Sequence, residues 1–79
     1  MSHRLWDKKM FDEFVEQAML DNEFKVILHD RIHKIPQAVT ADNLGISIST
    51  LNRKLKELQQ MYDVASRHSD MLPENLKII

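Results

Sequence analysis

"QAVTADNLGISISTLNRKL", Gln37 to Leu55, decides how this chain is read. Small Ala41 lies four residues before Gly45, the only glycine present. Leu44 and Ile46 flank that glycine, and Leu51 and Leu55 follow it. The spacing is that of a helix-turn-helix, two short helices joined by a tight turn. Ala41 has to be small because the second helix packs across it. Gly45 ends the first helix, since the residue just past a helix end often needs positive φ. Leu44, Ile46, Leu51 and Leu55 face the core, which leaves the opposite face of the second helix for solvent or DNA.

Working outward, Pro36 stops a preceding helix near Lys34 and opens the short helix from Gln37 to Leu44. That preceding helix carries the stripe Phe24, Ile27, Leu28, Arg31, Ile32 and Ile35. Asp21-Asn22 is the break before it, because both residues favour caps and turns. The first helix is capped by Ser2 or Asp7 and buries Met10, Phe11, Phe14, Val15, Ala18 and Met19. Downstream, Ser47 or Ser49 caps a fourth helix. Its apolar line, Leu51, Leu55, Leu58, Tyr62 and Ala65, carries it to about Ser66, with His68-Ser69-Asp70 as its end. Pro73 then introduces a tail whose apolar Leu76, Ile78 and Ile79 dock on the domain, dock on a partner, or fray.

The expected fold is therefore all-α: four main helices, a helix-turn-helix at about 37–60 and a short C-terminal tail. With 79 residues the chain is one domain, 1–79. Within it, 1–35 form a helical pair, expected to dimerise, and 61–79 form the helix extension and tail. No cysteine is present, which removes disulfides and thiolate zinc sites. A core this small needs idealised packing or an oligomer. Trp6, Phe11, Phe14 and Phe24 exceed what one short helix pair can bury, so some are expected to meet a second subunit. No apolar run approaches membrane-spanning length and no signal peptide opens the chain, so the expected location is cytoplasmic, with no membrane partner.

The formal net charge is −1, which argues against a general polyanion binder. A nucleic-acid role has to come from a local patch. Residues 37–60 hold three Lys/Arg against two Asp/Glu, and the three are Arg53, Lys54 and Lys56.

"TADNLGISISTLNRKLKEL" resembles the Fis-type helix-turn-helix, the DNA-binding motif of Fis and of nitrogen-regulator-type response regulators. Ala41, Leu44, Gly45, Ile46, Thr50, Leu51, Arg53, Lys54, Leu55 and Lys56 match the family form in register. The resemblance covers about a quarter of the chain. It implies a dimer whose two N-terminal helices pair ahead of the reading motif. There are two departures. Ile48 stands where the family commonly has Arg, and the last helix runs on through "QQMYDVASRH". Both features suit a protein partner instead of DNA.

Helical position assigns roles within the DNA reading. Ser47 and Thr50 bond phosphates near the helix start, where free N–H groups also point at anions. Ser49, Asn52 and Arg53 face the major-groove floor, where Asn pairs with adenine and Arg with guanine. Lys54 and Lys56 touch the backbone.

Elsewhere the residues point to little chemistry. His29 and His33 are four apart and could share a metal, but no further ligand is signposted; two solvent-facing histidines are expected, with no metal and no cofactor. No nucleophile–base set and no phosphate-cradling glycine loop is visible, so an enzyme is not expected. The expected function is sequence-specific binding of double-stranded DNA through the major groove, by a homodimeric bacterial or phage transcription regulator or architectural accessory. The alternative is a helix-turn-helix scaffold that holds a host protein or larger assembly, with the C-terminal tail as a possible contact.

Overall fold

The computed structural model describes residues 6–78. Four helices account for them: α1 Lys8–Ala18, α2 Asn22–Ile32, α3 Gln37–Leu44 and α4 Ile48–His68. Among the described residues there is no strand. No helix among them is long and apolar enough to cross a membrane. The all-α expectation holds, and α3 spans the residues expected of it.

Three of the four helix starts are capped by a side chain. Asp7 accepts from the Met10 N–H at 2.9 Å and Asp21 from the Phe24 N–H at 2.9 Å. Ser47 accepts from the Thr50 N–H at 3.1 Å. Each bond satisfies a first-turn donor that the helix itself cannot. Of the alternative caps, Ser49 lies inside α4, and Ser2 lies outside the described residues.

The ends of α1, α2 and α3 share one device. Leu20 N–H bonds Val15 O, Ile35 N–H bonds Asp30 O and Ile46 N–H bonds Ala41 O, at 2.9–3.0 Å. These are the 6→1 bonds of Schellman motifs, which need a left-handed residue just before the donor. Gly45 fills that role with φ 69, but Met19 does so at φ 54 and Lys34 at φ 59. Met19 is thereby a correction to the expected stripe. It leaves the helix in left-handed geometry and stands 86 % exposed. The same motif ends α2 at Ile32 with His33 as cap, two residues short of Lys34.

α4 is the axis of the fold. α1, α2 and α3 all pack on it, and α2 also packs on α3. Leu51, Leu55, Leu58, Tyr62 and Ala65 are all buried, as the four-three-four-three spacing required. They meet Phe14 of α1, Ile27 and Leu28 of α2 and Ala41 of α3. The principal partner of α1 is α4 and not α2.

The aromatic residues find partners within the chain. Phe14 meets Tyr62 edge-on at 5.2 Å, and Trp6 lies 5.6 Å from Tyr62 and 6.2 Å from Phe14. Edge and tilted contacts suit the ring quadrupoles. Phe11 and Phe24 are partly buried against the same core.

The tail docks on its own domain. Leu72 and Ile78 are buried and Leu76 packs against the core. Tyr62 donates its hydroxyl to Pro73 O at 2.6 Å. The Gln59 carboxamide donates to Leu76 O at 3.0 Å and accepts from the Ile78 N–H at 2.6 Å. From α2, Arg31 Nε donates to Ile78 O at 2.7 Å. The long C-terminal half of α4 thus has an inner face occupied by α1 and the tail. Ile79 lies outside the described residues.

Candidate nucleic-acid interface

The start of α4 is set by its cap. Ser47 Oγ accepts from Thr50 N–H and donates to Thr50 Oγ1 at 3.0 Å. Arg53 Nη2 donates to the same Thr50 oxygen at 3.2 Å. This local chain aligns Arg53 along the first turn. The first intrahelical bond runs from Leu51 N–H to Ser47 O, so the earlier N–H groups of Ile48 and Ser49 point out of the helix start. No acidic residue lies in this first turn, and the positive end of the helix dipole is left uncompensated there.

Leu51 and Leu55 are buried on one side of α4, while Ser49, Asn52, Arg53 and Lys56 are exposed on the other. Their spacing of three, one and three residues makes a single stripe. Four of the seven residues assigned to DNA therefore share an open face. Ser47 is exposed but engaged as the cap, and Thr50 is half-buried as its partner.

Lys54 stands apart from this group. Its ammonium lies 2.9 Å from Glu23 Oε1 of α2 and over the Phe24 ring, 5.4 Å from the centroid. The hydrogen bond to Glu23 raises the Lys54 pKa above its ordinary value, against some desolvation, with smaller help from nearby carboxylates. The side chain assigned to the phosphate backbone is held across the α2–α4 seam instead. The open cations of the stripe are Arg53 and Lys56. Ile48, where the resembled family commonly has Arg, is 47 % exposed at the edge of the face.

Compared with protein-family models, with curated proteins and with solved structures, the chain matches none.

Two features of the surroundings escaped the sequence reading. Thr40 donates to Asp30 Oδ2 at 2.7 Å, with both residues buried, and this bond pins α3 to α2. The His29 ring adds Nδ1 to the other Asp30 oxygen at 3.0 Å. Neither partner advertises the other, because the bond joins two helices across a turn. Glu23 is the second omission: its partner lies far along the chain, and no local pattern links them.

His29 and His33 stack with ring centroids 4.2 Å apart, and His33 Nδ1 bonds His29 O at 2.8 Å. A carbonyl only accepts, so that nitrogen carries the proton. Both residues are exposed. Among the described residues no group of three His, Cys, Asp or Glu is placed to hold a metal ion.

Proposed function

We propose that α3 and α4 form a DNA-reading helix-turn-helix, with the first two turns of α4 entering the major groove. The observation that carries this reading is the stripe Ser49, Asn52, Arg53 and Lys56, exposed on the back of a helix anchored by Leu51 and Leu55. Support also comes from the uncompensated N-terminus of α4 and from the resemblance to the Fis-type motif. In this reading Asn52 and Arg53 contact base edges, Lys56 contacts phosphate, and Ser49 with the first N–H groups anchors the helix start. The protein acts as a homodimeric regulator or architectural accessory.

With two open cations on the reading stripe of each chain, Arg53 and Lys56, electrostatics contribute little affinity. The salt slope expected for a dimer using Arg53 and Lys56 is about −4, at roughly 0.9 per phosphate neutralised. Titrating labelled duplex with the protein at low and moderate salt tests the reading. Binding that weakens with salt, and is lost with Arg53→Ala, supports it. Absence of binding at low salt sinks it.

A second reading, a scaffold for another protein, is favoured by the withdrawal of Lys54 onto Glu23 and by exposed Ile48. On that reading, duplex addition leaves the protein unchanged, and Ile48→Ser impairs partner binding.

A further inference from the structure

α4 has a third face besides its buried stripe and the Ser49–Lys56 stripe. Met61 and Val64, at the border of buried Ala65, line an open groove of about 420 Å³ against Ala18 at the end of α1. Val64 is 52 % exposed, and Met19, directly after Ala18, contributes nothing to the core. Glu57 and His68 stand at the two ends of the groove.

We infer that this groove seats a second copy of this chain, with the two α4 helices antiparallel about a two-fold axis. The register follows from the lining residues. An axis passing between Tyr62 and Asp63 sets Met61 opposite Val64 of the second copy and Glu57 opposite its His68. Each contact occurs twice, as an isologous interface requires. The imidazole can donate to the carboxylate at both ends, and the antiparallel helix dipoles agree in sign. Parallel helices in register would set Glu57 against Glu57, a like-charge contact. Ala18, partly exposed beside the groove, is small enough to let the incoming helix approach closely.

The placement has a geometric consequence for DNA, and this part alone rests on the proposed function. At about 100° per residue, the groove face lies roughly a quarter turn around α4 from the reading stripe. A two-fold axis perpendicular to both helices then projects both stripes to the same side of the dimer. The stripe is centred about ten residues from the axis, or about 15 Å at 1.5 Å per residue. The two reading faces fall about 30 Å apart, close to the ~34 Å of one duplex turn.

Sedimentation equilibrium of the full chain, with circular dichroism to confirm folding, tests the interface. The wild type is expected to be a dimer, and a monomer at tens of micromolar overturns the inference. Val64→Asp is expected to give a folded monomer, because Val64 is not part of the core. Val39→Asp, at an exposed valine on α3, is expected to leave the dimer intact. The reverse pattern overturns the placement. Glu57→Lys is expected to weaken dimerisation on the order of tenfold, since the imidazole–carboxylate contact is made twice. Glu57→Lys with His68→Glu restores it, and a double variant no better than the single one counts against this register. A dimer that ignores duplex removes the DNA reading and keeps the interface. A monomer that binds duplex does the opposite.

Discussion

Lys54 Nζ lies 2.9 Å from Glu23 Oε1, so the most central lysine of the basic cluster is bound to α2. The cluster that looks tripartite in sequence presents two open cations. Lys56→Ala is expected to flatten the salt slope of duplex binding by about 0.9 per chain, whereas Lys54→Ala leaves it unchanged. Glu23→Gln frees the ammonium and is expected to steepen the slope. Duplex titrations across a salt series measure all three. An equal loss of slope in the Lys54 and Lys56 variants would show that Lys54 leaves Glu23 on binding.

The three left-handed helix ends give opposite responses to glycine. Met19 and Lys34 bear side chains in a region that disfavours them, so Met19→Gly and Lys34→Gly are each expected to stabilise by about 1 kcal/mol. Gly45→Ala is expected to destabilise by about 1–2 kcal/mol. Beyond its chain neighbours, no atom lies within 4 Å of where the new Cβ would stand, so that cost is conformational and not a clash with the rest of the fold. Urea denaturation with a common slope resolves these differences.

Burial pushes the Tyr62 pKa up to about 12, with the Asp63 charge adding to the effect. The folded value exceeds the ordinary one of about 10. The stability this provides is complete below pH 10 and is lost as pH rises through 12. Ionisation also removes the proton donated to Pro73 O. Tyr62 is the only tyrosine in the chain, so ultraviolet absorbance of the phenolate follows it without overlap. A midpoint near 10 in folded protein would contradict the buried, bonded hydroxyl.

The tail is fixed by side chains of α4 that pair with its backbone. Gln59→Leu leaves the Ile78 N–H and Leu76 O without their partner, at an expected cost of about 1–3 kcal/mol. Leu72→Ala is expected to cost about 2–5 kcal/mol, as for other fully buried leucines. Hydrogen exchange locates the change. Faster exchange confined to residues 72–78 in the Gln59 variant is the expected outcome. Uniform exchange loss would mean that the tail is integral to global unfolding.

Much of the fold is legible in the sequence because its signals are local. Gly45, the Ser47 cap and the Leu51–Leu55–Leu58–Tyr62–Ala65 spacing each act within one or two helical turns. Met19 was misread because side-chain periodicity carries no information on backbone sign at a helix end; only glycine announces a left-handed residue. The partners of Lys54 and Thr40 are illegible for a different reason. Those partners, Glu23 and Asp30, are brought near by the packing of α2, which no spacing in α4 or α3 encodes. The sequence leaves the tail three fates, because its anchor, Gln59, is a polar residue on the edge of an apolar stripe and carries no local signal. The open stripe Ser49, Asn52, Arg53 and Lys56 was readable from helical phase alone. Which cations within the cluster stay open was not.

The chain holds one tryptophan and one tyrosine, and folding brings them to 5.6 Å. At that separation light absorbed by the phenol passes to the indole, so the native protein fluoresces as tryptophan alone. Any opening of α1 from α4 parts the two rings and lets tyrosine emission reappear. The protein carries its own unlabelled optical gauge of whether its first helix is seated.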